Sequence, residues 1–535
     1  MDEGCALMRD WTALQRFRPS QVIETMPNIF AYVVLFGWPL VVFQLFRRLA
    51  PDAALGWSIL AGYLILPTKT ALDLPGMPAI NKDAVPVLIA GFLLLIGMGR
   101  SAEGNLQPPS DQAARSKVKA PGMPGGWLIK GLIGLLLLSP LLTVLTNSDP
   151  VVFGPLFIPG MRLYDAVSII GALTITALPY LLARRYIASP ESHETLLKIL
   201  VSSMIVYSLL VMYEIRMSPQ LNAMFYGFFP HEFLQHIRAD GFRPVVFLYH
   251  GLWLAIMLAM AIVAALAMWR QKLSRNARAG QWLFLAIFLL VVLYLSKSLG
   301  ALVVVLIFLP VMLLLGVRGQ LMIATIIAGL VLCYPMLRAN HLVPVERIIE
   351  LAGQIDEERA GSFAFRVVNE DALLARASQR PLAGWGTWGR SEVFDPETGT
   401  STTVTDGAWI ITIGAFGWLG YIASFGLLTL PILLLLLGRK RLGIEPATSG
   451  LALVLATNLL DLLPNATLTP VTWLIGGALI GRCAYRAPIT DGSDSQQGGA
   501  ARSGSVRSWE VVTDTPVARK RRAASDHKDE GLRHR

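Results

Sequence analysis

The chain has 535 residues, 54% of them hydrophobic and 15% charged, with a formal net charge of +10. That is more apolar surface than a soluble core of this length uses, so a soluble globular protein is excluded and an integral membrane protein is expected. The three cysteines, Cys5, Cys333 and Cys483, have no paired spacing and support neither a disulfide framework nor a metal cluster.

Residues 1–28 are polar and mixed in charge. No cleavable signal peptide is expected there, so the first span serves as its own address. Apolar runs of about 17 to 25 residues can cross a hydrocarbon core of about 30 Å as helices. Such runs occur near 29–46, 53–67, 84–99, 127–145, 165–183, 196–214, 245–268, 281–296, 300–317, 320–337, 408–437, 449–463 and 469–485. The run at 408–437 is long and is expected to hold a short interfacial helix before Gly417 and a true span after it. The expected fold is all-α and polytopic, with about 12 to 13 transmembrane helices. Ten fall in 29–337 and the rest in 408–485, on either side of one large polar loop at 338–407.

Basic residues in short loops set orientation. Arg47 and Arg48, Arg100 with Arg115, Lys117 and Lys119, Arg184 and Arg185, the group from Arg270 to Arg278, Arg318, and Arg439 to Arg441 fall on one side if the spans alternate. That side is expected to be cytoplasmic, which puts the amino terminus and loops 215–244, 297–299, 338–407 and 464–470 outside. The tail 486–535 is rich in Ser, Gly, Asp and Arg and carries the run Arg519-Lys520-Arg521-Arg522. It is expected to be disordered and cytoplasmic, near anionic lipid headgroups rather than bound to nucleic acid.

Polar residues near membrane depth are costly and mark sites or partners. Arg238 and Arg243 precede the seventh span. If its helix starts at Pro244, the first amides and Arg243 point the same way and suit an anion. Otherwise Arg243 snorkels to headgroups. His250, about two turns deeper, is either a ligand group or a buried histidine bonded to a neighbouring helix. Lys297, in the short turn Ser296-Lys297-Ser298, is either a functional cation or an interfacial anchor.

The loop 338–407 carries Arg338, Arg347, Arg359, Arg366, Arg376, Arg380 and Arg390, no lysine, and more acid than base. Arginine presents a planar fork that matches phosphate oxygens two at a time, so an anionic ligand is expected. Residues 366–376 have helical spacing with an apolar stripe of Phe363, Val367, Ala372, Leu374 and Ala375, expected to lie on the membrane as an amphipathic helix. Trp385 and Trp388, in a glycine-rich stretch, offer either membrane anchors or flat faces for sugar rings. Asp406 is either a base that takes a proton from a hydroxyl or the cap of the next helix.

In order and spacing these features resemble the bacterial O-antigen ligase and O-antigen or exopolysaccharide polymerase family. The likeness is carried by the segment Arg238 to His250, the Ser-Lys-Ser turn, Arg366, the phrase Pro381-Leu382-Ala383-Gly384-Trp385-Gly386, and the glycines Gly414, Gly417 and Gly420, over roughly residues 200 to 440. The resemblance implies a metal-independent, inverting, GT-C-like glycosyltransferase without cofactors in the bacterial inner membrane. Its donor would be an undecaprenyl-pyrophosphate-linked glycan, and a chain-length regulator or other polysaccharide assembly proteins would be its partners. Arg243, Arg366 and Asp406 would be catalytic, and Arg238, His250, Lys297, Arg376, Arg380, Trp385 and Trp388 would bind substrate. Ligases generally carry histidine where Asp406 stands, which favours a polymerase over a ligase. A precursor transporter or a non-catalytic assembly partner are the readings from other classes. A transporter would usually show an internal repeat, and none is visible.

Overall fold

A computed structural model describes residues 26–73, 78–98, 126–238, 241–354 and 357–485. The expectations for residues 1–25, for the basic positions Arg100 to Lys119 and for the tail 486–535 lie outside the described residues.

The described chain is mostly helical. In order it forms α1 (Ile29–Arg48), α2 (Pro51–Ile65), α3 (Ala84–Leu95), α4 (Gly126–Leu145), α5 (Leu163–Tyr186), α6 (Pro190–Met217), α7 (Leu221–Tyr226), α8 (Gly251–Ser274) and α9 (Gly280–Leu295). Then follow α10 (Leu299–Leu314), α11 (Val317–Ala339), α12 (Val345–Gly353), α13 (Glu357–Ser378), α14 (Ala408–Leu442), α15 (Pro446–Asp461) and α16 (Pro470–Ala484). Among the described residues strands occur only as short antiparallel hairpins: β1 (Ala71–Leu72) with β2 (Ile80–Asn81), β3 (Val151–Phe153) with β4 (Leu156–Ile158), and β5 (Ile237–Arg238) with β6 (Gly241–Phe242).

A helix stands at every apolar run read from the sequence. Seven, α1, α4, α5, α6, α8, α11 and α14, are long and apolar enough to cross a membrane. The protein is therefore a multi-pass membrane protein by the length and composition of its helices. The outward faces agree, since Phe92, Leu95, Phe284 and Leu314 are all more than half exposed. A water-soluble surface would not carry so many large apolar side chains, and lipid solvates them.

At the centre is α8, with 89% of its apolar stretch buried, packed by α6, α9, α10 and α15. A second group joins α16 to α5 and α14, and α4 to α14 and α5.

Two local features position the site. First, α14 is broken at Gly417, whose φ of 63° and ψ of −163° lie outside the helical region, as expected from the length of that run. The break frees backbone groups that the 381–386 segment takes up. Trp418 N donates to Pro381 O (2.8 Å), Trp385 N to Gly414 O (2.8 Å) and Gly386 N to Ala415 O (2.9 Å). Added Cβ atoms at Gly384 or Gly417 would collide with backbone of the facing segment, so glycine is required for this approach.

Second, the seventh span does not start at Pro244. Its helix begins at Gly251 with His250 as N-cap. The Glu214 carboxylate holds the intervening segment open by accepting from Val245 N (2.8 Å) and Val246 N (2.7 Å) with one oxygen and from Leu221 N (2.9 Å) with the other. The amides expected to greet an external anion are thus already bound to an internal one.

Candidate functional site

Helix α13 brings Arg366 to the start of α14. Its Nε lies 3.3 Å from Asp406 Oδ2, with about a third of each side chain exposed. Its Nη1 donates to Asn465 Oδ1 (3.4 Å), and Asn465 is held by Asp461, which accepts from Asn465 Nδ2 (2.8 Å) and from Thr467 Oγ1 (2.6 Å). Asp406 does not cap α14: the cap residue is Gly407, and no side-chain cap bond is made. Burial raises the Asp406 carboxyl above its ordinary range, and Arg366 partly offsets this. A half-open guanidinium beside a carboxylate inclined to take a proton can hold an anion and accept a proton within one pair.

The buried stripe of α13 consists of Ala360, Val367, Asn369, Glu370, Leu373 and Ala377. Of the expected apolar stripe only Val367 is buried; Ala375 is exposed, while Phe363, Ala372 and Leu374 are intermediate. The stripe is turned one position and packs on α14, so protein covers it rather than lipid. Arg338 is buried as well, its Nη2 2.8 Å from Asp371 Oδ1, and anchors α13 from α11.

The second group lies around β5, β6 and the start of α8. Arg243 N donates to His236 O (2.8 Å), and the stem of its side chain lies against Gly251, where a Cβ would stand 2.5 Å from Arg243 Cδ. His250 sits in a cluster of histidines. Its ring centroid is 4.5 Å from that of His236 and 4.9 Å from that of His231. Its Nδ1 accepts from Leu252 N (3.1 Å). His236 Nδ1 donates to Glu232 O (3.0 Å). Burial, together with Arg243 and the other nearby cations, lowers the His236 imidazole to about 4, against the Glu232 bond that raises it, so it is neutral at pH 7. Lys297, at a φ of 54°, reaches this group from the turn between α9 and α10, its Nζ 3.4 Å from the point where a Gly241 Cβ would stand. That ammonium is buried without a hydrogen-bond partner among the described residues. Arg238 Nη1 donates to Ile237 O (3.0 Å), and Arg238 lies within electrostatic range of His250.

The third group is closed. Arg376 Cζ lies 3.3 Å and Arg380 Cζ 4.2 Å from the Trp385 ring centroid. Trp385 Nε1 donates to Arg376 O (2.8 Å). Arg380 Nη1 donates to Asn147 Oδ1 (2.7 Å) and Nη2 to Asp149 Oδ2 (2.7 Å). Arg390 is buried, donating to Pro159 O (2.7 Å) and Asp149 O (2.8 Å). Burial raises the Asp149 carboxyl, but the bond and charge of Arg380, a backbone bond and the charge of Arg390 together outweigh this and hold it below the ordinary range. Burial and the two neighbouring arginines lower Arg376 to about 10. Trp385 is thus filled on its faces by protein and cannot stack on a sugar, whereas Trp388 is 59% exposed. Arg380 ties the loop to Thr146, Asn147 and Asp149, while Arg376 donates within the loop to Gln379 Oε1 and Arg390 O and stands 5.5 Å from the Phe153 ring centroid.

The chain matches no family model, no curated protein and no solved structure.

Asp461 lies within electrostatic range of Arg366 and of Tyr63. Lys82 Nζ sits 5.4 Å from the Tyr63 ring centroid and donates to Phe247 O (3.0 Å), four positions from Arg243. Sequence reasoning passed over Glu214, Asp461, Asn465, Lys82 and Asp83. The signals were present: an acid inside the apolar run of α6, an Asp and Asn four apart at the end of another, and a Lys-Asp pair directly ahead of α3.

Proposed function

We propose that the chain is a membrane glycosyltransferase that polymerises undecaprenyl-pyrophosphate-linked repeat units into O-antigen or exopolysaccharide at the periplasmic face of the bacterial inner membrane. The observation that carries the reading is the Arg366–Asp406 pair. It sets a forked cation suited to pyrophosphate beside a carboxylate of raised proton affinity, both partly open to solvent.

On this reading the acceptor hydroxyl attacks the anomeric carbon of the donor glycan while Asp406 takes its proton. The bond to the pyrophosphate oxygen breaks with inversion, and the electron pair leaves with undecaprenyl pyrophosphate. Arg366 and Arg243 stabilise the negative charge that develops on the leaving group. Lys297, buried and unbonded among the described residues, supplies a further cation near Arg243. Arg376, Arg380 and Trp385 hold the loop in place rather than binding substrate. The finer architecture belongs to the same reading. The sixteen-residue helices are about 24 Å long at 1.5 Å per residue, so thirteen crossings require locally thin bilayer or partial spans.

Purified protein in detergent, given lipid-linked repeat units, is expected to yield lengthened glycan and one free undecaprenyl pyrophosphate for each new linkage. Transfer only to a lipid acceptor would make it a ligase. Absence of any bond formation, with movement of the lipid between leaflets in vesicles, would make it a transporter.

A further inference from the structure

The stretch expected to lie on the membrane, around 366–376, belongs to α13 and packs on α14, whereas the shorter helix ahead of it keeps an open apolar face. Successive residues of a helix are turned by about 100°. In α12, Val345, Ile348, Ile349 and Leu351 therefore fall on one arc, and Glu346, Arg347 and Glu350 on the opposite one. Ile348 and Leu351 are each more than 40% exposed, as is Leu342 just ahead of the helix. Val345 and Ile349 are half-buried, and the main packing partner of the helix is α13.

Two observations identify what covers the open arc. The first is continuity with a lipid-facing surface. Helix α11 is long and apolar enough to cross a membrane, and its exposed stripe of Met322, Ile326, Leu330, Cys333 and Met336 runs into its last turn. The chain then folds back on that end. His341 lies in the left-handed region at φ 54°, its N donates to Arg338 O (3.1 Å), and Leu342 N donates to Leu337 O (2.9 Å), the bond pattern of a Schellman cap. Leu342 is thus fixed to the last turn of α11, and the three residues from it to Val345 reach at most about 11 Å. Helix α12 starts where the lipid-facing surface ends.

The second observation is the charge on the far arc. Glu346, Arg347 and Glu350 are all exposed and would be costly in hydrocarbon, so the helix cannot sink into the bilayer. Two acids against one base give this arc no attraction for an anionic surface. Apolar area alone is left to hold the helix at the boundary.

We propose that α12 is an in-plane membrane anchor. Its apolar arc, together with Leu342, enters the edge of the hydrocarbon beside the end of α11, and its polar arc faces headgroups and water. The occupant of the arc is lipid. Because α12 leads into α13, the anchor ties the loop helix to the bilayer surface, whatever reaction the site performs.

The test uses the full-length protein in phosphatidylcholine nanodiscs, with Cys5, Cys333 and Cys483 replaced by alanine and one nitroxide label at Ile348→Cys, Leu351→Cys, Glu346→Cys or Glu350→Cys. Leu330→Cys on α11 is the lipid reference, and Glu397→Cys, on an exposed turn, is the water reference. Paramagnetic resonance compares collisions with oxygen, which concentrates in lipid, and with a water-soluble nickel chelate. The oxygen-to-nickel ratio at Ile348 and Leu351 is expected to be several-fold above that at Glu346 and Glu350, close to the lipid reference, and unchanged when phosphatidylglycerol is added. Thermal unfolding midpoints show which labelled proteins are folded, and Leu342→Cys reads the same surface in place of any that is not. Ratios at Ile348 and Leu351 equal to the water reference overturn the anchor, because the helix then stands in water. Low collision rates with both reagents overturn it too, because protein, such as a second copy of the chain, then covers the arc. A ratio that rises only with phosphatidylglycerol overturns anchoring by apolar area.

Discussion

Arg366 Nε and Asp406 Oδ2 face each other at 3.3 Å, one from the loop helix α13 and the other from the residue two before α14. On the proposed function the pair makes Asp406 the base rather than a helix cap, and the fork of Arg366 is required. Arg366→Lys keeps the charge but loses the paired donors. It is expected to lower elongation by about a hundredfold, a loss typical of a transition-state donor, with normal protein levels in the membrane. Lysine as good as arginine would remove bidentate phosphate recognition from the account.

On the same proposal the pair sets the acid limb of activity. Asp406 must be ionised to take a proton, and burial raises its carboxyl while Arg366 only partly offsets that. Activity should therefore fall, on acidification, at a pH above the ordinary aspartate range. A pH–rate profile whose acid limb lies at or below the value of a free aspartate would count against Asp406 as the base.

Glu370 gives a stability effect of known sign. Burial raises its carboxyl to about 7, with Arg338 opposing. A folded value above the unfolded one means that the stabilisation is complete below the unfolded value and is lost as pH rises through about 7. Glu370→Gln should match wild type near pH 4 and exceed it at pH 8 by on the order of 2 kcal/mol. Unfolding in detergent at the two pH values measures this.

Gly417 and Gly384 let two backbones meet. Gly417→Ala places a side chain at φ 63° and against Leu382 O, and is expected to cost on the order of 2 kcal/mol or more. Limited proteolysis should then cut near 381–390 faster than in wild type. Unchanged cleavage would mean that the docking of this segment on the broken helix does not hold the loop.

The two tryptophans should separate cleanly. Trp385→Ala empties the space between Arg376 and Arg380 and is expected to destabilise by about 3 to 5 kcal/mol. Trp388→Ala removes an exposed ring and should leave the unfolding midpoint nearly unchanged while weakening glycan or lipid contact. Equal destabilisation by both would contradict their different burial.

The helices were legible because apolar runs fix them regardless of what they pack against, and the break at Gly417 because the run was too long for one straight span. The site was legible only in part. Arg366 and Asp406 lie 40 positions apart, and each looked functional alone, but nothing in one sequence pairs them. Trp385 read as a membrane anchor or a sugar platform because burial beside two arginines is a tertiary fact. Pro244 read as a helix start because proline suits that position. The acid that keeps the segment out of the helix, Glu214, lies in another helix, and a local reading cannot anticipate it. The neighbours of His250 are hidden for the same reason, His231 and His236 being placed by the loop rather than by helical spacing.

The most direct measurement is the product of the purified protein supplied with lipid-linked repeat units, read by mass spectrometry and by NMR of the new linkage. The account predicts glycans longer by whole repeats, one undecaprenyl pyrophosphate released per linkage, an inverted anomeric configuration, and none of these from Asp406→Asn. Wild-type protein that forms no new glycosidic bond, or an Asp406→Asn variant that forms it at the wild-type rate, would contradict it.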